Sequence, residues 1–198
     1  MNEEFLSGEK IYLVALEPEK MAELFNGWAS DTEYWRLANS DPVIPFSVES
    51  IKTWLDEHLF DKDNFFFAIK TIQDNRPIGD INLSGIDWIH GNAYLGISIG
   101  KREEWGKGYG TDAVRVILRY AFNELNLHRV SLTVFDYNHR AKRAYEKAGF
   151  HMEGRQRGFL KREGQRWDLI YMGILRREWE SEQITPQIES LSEKGEKK

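Results

Sequence analysis

The chain has 198 residues, a formal net charge of −5 at pH 7 and no cysteine, so it suits one domain with a substantial core. The lack of cysteine excludes disulfides, thiolate metal sites and a cysteine nucleophile, and the acidic balance argues against a nucleic-acid partner, which would need a basic face. No apolar run is long enough to cross a membrane, so we expect a cytoplasmic protein without a membrane partner. The histidines at 58, 90, 128, 139 and 151 lack the spacing of metal ligands, so we expect no metal.

The first half of the chain predicts a strand, three helices and then a run of strands. Pro18 stands where a first helical turn tolerates proline, Asp31 is the N-cap predicted for the second helix, and Ser47 or Ser50 begins the third. The predicted elements are a strand over 9–16, a helix over 18–29, a short helix after 31, a helix ending near 59, and strands over 65–69, 78–86 and 93–99.

A glycine-rich stretch, Trp105-Gly106-Lys107-Gly108-Tyr109-Gly110-Thr111, separates the last of these strands from a helix predicted over 112–125. Glycine lets a ligand lie against the main chain, and the first N–H groups of a helix have no internal partner. A dinucleotide motif would need glycine or alanine at Thr111, and a P-loop would need Gly-Lys-Ser/Thr. We predict a pyrophosphate cradle here; the alternative is a glycine-rich connection that binds nothing.

The second half predicts a strand over 129–135, a helix that Asn138 caps and Gly149 ends, and strands near 150–157 and 167–175. Asn138 and Tyr145 are seven residues apart, almost two helical turns, so both should project from one face. The opposite side can carry Arg140 and Arg143, or Lys142, toward a polyanion. The order of elements predicts a mixed α/β sheet covered on both faces.

The strand, W-G-K-G-Y-G-T, helix, strand and N-H-R-A-K-R-A-Y-E-K-A-G-F together resemble the GNAT superfamily of acetyl-coenzyme A-dependent N-acetyltransferases. The segments 164–168 and 174–179 are similar to the branch with ribosomal-protein N-terminal (alanine/serine) acetyltransferases and related polyamine acetyltransferases. The resemblance covers about 9–179 and implies a mostly antiparallel sheet with a V-shaped split between two strands. Trp105 departs from the pattern, because the family often has Gln or Arg there.

The resemblance also implies roles for individual residues. The N–H groups of Gly106, Lys107, Gly108, Tyr109, Gly110 and Thr111 would hold the coenzyme A pyrophosphate, with Trp105 in the same cofactor-binding stretch but without a phosphate role for its side chain. Ile97, Ser98, Ile99 and Gly100 would hydrogen-bond the pantetheine arm. Asn138 would contact the cofactor, and Tyr145 would protonate the leaving thiolate.

With no cysteine available, the simplest reaction is direct attack by a neutral amine on the thioester in a ternary complex. A backbone N–H of Ile99 or a neighbour would stabilise the oxyanion, and Tyr145 would hold its proton at neutral pH; it could instead be a core tyrosine. The general base stays open among Asp80, Glu33, Asp31, Glu103, Glu104 and water.

Acceptor selectivity is expected from residues 20–60 and from a turn near 157–167, where the aromatic candidates are Trp28, Tyr34, Trp35 and Phe46. The acceptor is a protein N-terminus or a polyamine-like amine. The alternative function is a catalytically silent module that binds coenzyme A as a sensor. We further expect one domain over 1–179, a flexible polar tail over 180–198 and, from the resemblance, a homodimer.

Overall fold

The computed structural model describes residues 5–59 and 61–181, and within them seven strands form one sheet in the order β1-β2-β3-β4-β5-β7-β6. The strands are β1 Ile11–Ala15, β2 Phe65–Thr71, β3 Pro77–Asp87, β4 Asn92–Ile99, β5 Arg129–Phe135, β6 His151–Arg162 and β7 Gln165–Leu175. The helices are α1 Pro18–Ala29, α2 Thr32–Ala38, α3 Val48–Leu59, α4 Tyr109–Arg119 and α5 His139–Glu146. Arg102–Glu104 form a 3-10 turn, and a π-turn, Tyr120–Glu124, extends α4.

The pairing of β4 with β5 gives the sheet its shape. Every other neighbouring pair is antiparallel, but β4 and β5 are parallel and pair only where Asn92–Tyr94 lies beside Arg129–Ser131. Beyond those residues the two strands no longer pair and their ends border a cavity. The predicted mixed α/β fold with a V-shaped split is confirmed.

The two faces of the sheet carry separate apolar clusters. The larger one packs the buried face of α4, including Val114, Ile117 and Leu118, against strand residues such as Ile81. The smaller one packs α1, α2 and α3 against the other face. Apolar positions three and four residues apart explain why α4 buries one side completely, so the helix that begins at the glycine stretch is rigidly seated.

Two predicted boundaries are wrong. The strands expected near 150–157 and 167–175 extend to Arg162 and back to Gln165, and the turn expected near 157–167 is a tight one at Glu163 and Gly164, whose φ angles of 52° and 77° suit a two-residue hairpin. The alternating polar residues of exposed β6 gave no apolar period to mark this strand. The helix predicted from 112 begins at Tyr109, because left-handed Gly108 turns the chain directly into it.

Most of the predicted polar tail lies outside the described residues, which end at 181, and residues 176–181 are helical. In the described part of the chain, no helix has the length and apolar character that a membrane crossing requires.

Candidate active site

A cavity of about 550 Å³ fills the split between β4 and β5. It brings together most of the residues singled out in the sequence: Ile97, Ser98, Ile99, Trp105, Gly106, Gly108, Tyr109, Gly110, Thr111, Asn138, Arg140, Arg143 and Tyr145. Gly100 and Lys107 are absent from its wall. Gly100 lies against the Trp28 ring, where an added Cβ would come within 2.1 Å, and the Lys107 side chain bonds Glu104.

The wall that β4 forms is a row of backbone groups. Gly100 N–H donates to Ile78 O of β3 at 2.9 Å, and backbone groups alternate sides along a strand. The N–H and C=O groups of Ile97 and Ile99 therefore face away from β3, toward the split. In agreement, Trp105 Nε1 donates to Ile99 O at 2.8 Å. An extended ligand can hydrogen-bond this edge as a neighbouring strand would.

The glycine stretch forms the end of the cavity at the start of α4. Gly106 and Gly108 have φ angles of 75° and 90°, which side-chain-bearing residues rarely adopt. Lys10 Nζ bonds Lys107 O at 2.8 Å and so holds the loop from the N-terminal side. The loop thus presents main chain to the cavity, as a pyrophosphate cradle requires.

The position of that loop depends on Asp112, which sequence reasoning placed only as a helix residue. Its buried carboxylate accepts hydrogen bonds from the N–H groups of Glu9, Lys10 and Ile11 at 3.1, 2.7 and 3.1 Å. The contact joins residues about 100 positions apart in the chain, and the only signal for it is an acidic residue in a first helical turn.

Asn138 and Tyr145 both line the cavity from α5, as their spacing predicted. Asn138 Oδ1 accepts from Ala141 N–H at 3.1 Å, which confirms the N-cap, and Nδ2 donates to Leu37 O at 3.2 Å. The amide thereby ties the start of α5 to the end of α2. Its contact with the cofactor stays a prediction.

Tyr145 is 9% exposed, and burial raises its pKa to about 12, with the charge of Arg140 acting in the opposite direction. The phenol therefore keeps its proton at any physiological pH. It can donate that proton to a base as the base forms, which is the property a general acid needs.

Arg140 and Arg143 line the same cavity as Asn138 and Tyr145, so the prediction that they lie on the opposite side of α5 is wrong. The guanidinium carbon of Arg140 lies 3.7 Å from the centre of the Trp105 ring, a cation–π contact. Burial lowers its pKa, and its Nη1 is buried without a hydrogen-bond partner among the described residues. A buried donor of this kind is costly until a ligand oxygen accepts from it, so this side of the cavity suits an anionic or carbonyl-rich ligand.

The candidate bases are not equivalent. Glu104 pairs with Arg76 and Lys107 at 2.7 and 3.1 Å, and the hydrogen bond from Arg76, foremost, lowers its pKa. Arg102 holds Asp31 and Glu33, each at 2.5 Å. The hydrogen bond from Arg102, foremost, lowers the pKa of Asp31 to about 2, so Asp31 and Glu104 are weak proton acceptors.

Asp80 differs from these carboxylates. Ser98 Oγ donates to it, and burial, the dominant cause, raises its pKa to about 6. Within 5–59 and 61–181, no cluster of His, Asp or Glu could hold a metal ion.

Only one of the four aromatic candidates for acceptor binding, Tyr34, lines the cavity. Trp28 and Trp35 are 5% and 7% exposed, and Phe46 lies 5.0 Å from Trp35 between ring centres. These three side chains pack within the protein, because α1 and α2 need large apolar groups to cover the sheet.

Comparison with known proteins agrees with this geometry. Residues 10–151 match the family described as Acetyltransferase (GNAT) domain. YokL of Bacillus subtilis (strain 168), an SPbeta prophage-derived uncharacterized N-acetyltransferase, is 32% identical over 179 residues, covering 89% of this chain and 96% of YokL. The spermidine N(1)-acetyltransferase of Escherichia coli (strain K12) is 31% identical over 131 residues, 66% of this chain and 69% of that enzyme.

Among solved structures, spermidine N-acetyltransferase from Vibrio cholerae in complex with CoA and spermine matches with a TM-score of 0.76 and 26% identity. The match covers 85% of this chain and 97% of that one. These relatives do not favour the silent binding module. The chain belongs to the GNAT family and is an N-acetyltransferase that moves the acetyl group of acetyl-coenzyme A to an amine.

Proposed function

We propose that the cavity between β4 and β5 is the active site and that its acceptor is a polyamine. The observation that carries the proposal is the split itself, where the backbone edge of Ile97 and Ile99, the glycine cradle and Tyr145 line one cavity. The buried Nη1 of Arg140, which has no hydrogen-bond partner within 5–59 and 61–181, fits an oxygen-rich ligand such as coenzyme A. The spermidine acetyltransferases among the similar proteins support the acceptor class.

Each group then has a defined part in the reaction. The N–H groups of Ile97 and Ile99 orient the pantetheine arm, and that of Ile99 or a neighbour donates to the carbonyl oxygen as it gains negative charge. A neutral amine attacks the carbonyl carbon, and Tyr145 donates its proton to the departing sulfur. The first N–H groups of α4 balance the charge of the pyrophosphate.

A protein N-terminus is the second candidate acceptor, because residues 164–179 resemble the ribosomal-protein N-terminal acetyltransferases. The two acceptors differ in acidity: an α-amino group titrates near 7.7–8.0, whereas amines of the lysine type titrate near 10.4, so about 3.5 kcal/mol less is needed to deprotonate the former. An acceptor with an α-amine would therefore make a smaller demand on a base.

The deciding experiment measures thiol release from acetyl-coenzyme A with spermidine, spermine and short peptides that begin with Ala or Ser, each peptide paired with its N-acetylated form. Turnover with the polyamines is expected. Turnover confined to peptides with a free N-terminus would replace the polyamine by the second candidate. Binding of coenzyme A without turnover of any amine would contradict the acceptor classes proposed.

Tyr145→Phe tests the acid assignment. The substitution removes one hydroxyl, so kcat should fall about 100-fold, within the usual range for a general acid, while the Kd for coenzyme A stays unchanged. Tyr12→Phe, which removes an exposed hydroxyl bonded to Asn75, is the matched control. An unchanged kcat in Tyr145→Phe would refute the assignment.

A homodimer is also part of the proposal. Tyr94 of β4 and Tyr171 of β7 are 57% and 40% exposed, and the strand register places both on one face of the sheet. Exposed aromatic residues on a sheet face support an interface. Light scattering of the purified chain tests it, and a monomer at micromolar concentration would contradict it.

A further inference from the structure

Three side chains, which we call the Tyr34 relay, form a hydrogen-bonded chain that leaves the active-site cavity. Tyr34 Oη donates to Ser98 Oγ at 3.0 Å, and Ser98 Oγ donates to Asp80 Oδ1. Tyr34 and Ser98 line the large cavity, whereas Asp80 lines a second cavity of about 260 Å³. The relay therefore links the active-site cavity to a separate space bordered by α1, α3 and β3.

Among residues 5–59 and 61–181 Asp80 has no ion-pair partner, unlike Glu104, Asp31 and Glu33. In the described part of the chain its side-chain partner is Ser98, and the residue that pairs with it on β2 is Ala68. The titratable groups that face it are Tyr34 from α2 and, across the second cavity, His58 from α3. A buried carboxylate without a cation costs stability. The stability of the fold therefore does not explain why an aspartate occupies position 80.

We infer that the Tyr34 relay carries away the proton that the acceptor amine loses during acetyl transfer, and this inference rests on the proposed function. The amine nitrogen bonds to the thioester carbon and becomes cationic. Its proton passes to Tyr34 Oη as the Tyr34 proton moves to Ser98 Oγ and the Ser98 proton moves to Asp80. The C–S bond breaks, and the sulfur takes a proton from Tyr145. Exchange with solvent then returns a proton to Tyr145 and removes one from Asp80.

The properties of the three groups suit these steps. Burial, foremost, and the charge of Asp80 raise the pKa of Tyr34, so the phenol passes a proton on without ionising. Asp80, with a pKa of about 6, is charged and ready to accept at neutral pH, yet is a stronger base than an ordinary aspartate. Tyr34 is thus the catalytic residue that touches the amine, and Ser98 and Asp80 act through it.

The test compares Asp80→Asn, Ser98→Ala, Ser98→Thr and the double variant Asp80→Asn/Ser98→Ala. Asparagine keeps an oxygen that accepts from Ser98 but is no base, and threonine keeps the hydroxyl that alanine removes. Ser131→Ala is the matched control, because Ser131 lies on β5, outside the relay, and its hydroxyl accepts from Arg129. Binding of coenzyme A by calorimetry shows that each variant is folded with an intact cradle.

With spermidine as acceptor, kcat should fall about 100-fold in Asp80→Asn and in Ser98→Ala, while Ser98→Thr and Ser131→Ala retain most activity. The double variant should be no slower than either single variant, since the relay acts as a unit. Below pH 6 the wild type needs both an ionised Asp80 and a neutral amine, so log kcat/KM plotted against pH should rise with a slope of about 2. Asp80→Asn and Ser98→Ala need only the neutral amine, so their slope should be about 1.

Two results separate the relay from the proposed function. If the wild type acetylates spermidine and the variants are equally active, the relay is overturned and the proposed function stands. The same conclusion follows if the variants lose activity but keep the wild-type slope of log kcat/KM against pH. If the wild type transfers acetyl to no amine, the proposed function fails and the relay fails with it.

Discussion

Asp80→Asn should stabilise the protein at neutral pH, because it replaces a buried carboxylate by a neutral amide that can still accept from Ser98. The pKa of Asp80 rises from 3.8 to about 6 on folding, so between these values the native state binds more protons than the unfolded state, and stability falls as pH rises. Each pKa unit corresponds to 1.36 kcal/mol. Ionisation of Asp80 therefore lowers the free energy of unfolding by about 3 kcal/mol at pH 7.5, about 1.5 kcal/mol at pH 5 and about 0.5 kcal/mol at pH 4. Asparagine does not ionise and avoids this cost.

Urea unfolding at pH 4, 5 and 7.5 checks the expectation. The stability gain of Asp80→Asn over the wild type should grow with pH toward about 3 kcal/mol. Asp41→Asn, which neutralises an exposed carboxylate in the loop before α3, should show no such growth. A gain that does not vary with pH, or a loss at pH 7.5, would refute the argument that Asp80 is ionised at a cost in the folded protein.

Three other substitutions probe the cradle and its supports. Gly108→Ala must place a side chain at a φ of 90° and should lower both the melting temperature and the affinity for coenzyme A. Gly110→Ala is the control, because its Cβ would lie 3.9 Å from Ile99 Cγ1, and it should change the melting temperature little. Equal melting temperatures for the two variants would contradict the strain argument. Asp112→Ala leaves three N–H groups without their acceptor and should cost about 3 kcal/mol in urea unfolding, with Asp112→Asn less harmful. Arg140→Ala should raise the Kd for coenzyme A about tenfold in calorimetry, because it removes a buried cation whose Nη1 has no partner among the described residues. The melting temperature should change little, because removing that buried donor offsets the lost cation–π contact with Trp105; an unchanged Kd would exclude Arg140 from the ligand site.

The sequence predicted the parts of the site that depend on local geometry. Glycines ahead of a helix and the spacing of Asn138 and Tyr145 are local features, and the structure places them on one cavity. The contacts of Asp80 with Ser98 and of Asp112 with residues 9–11 join distant segments, so no period or motif reveals them. The same holds for the carboxylates: sequence alone could not distinguish Asp80 from Glu104, because only the fold decides which one meets a cation.

Trp105 shows how a departure from the family pattern is accommodated. A Gln or Arg at this position would offer several hydrogen-bonding atoms or a charge to the glycine stretch, whereas the indole has one N–H and no charge. The indole instead donates to Ile99 O, next to the backbone N–H proposed to meet the oxyanion, and so fixes the end of β4. Its ring face carries the guanidinium of Arg140 from α5, which supplies a cation at the place where Trp105 lacks one. Arg140 thus supplies positive charge to the cavity together with Arg143 and Lys147, and the affinity of Arg140→Ala for coenzyme A measures how much of the binding depends on Arg140.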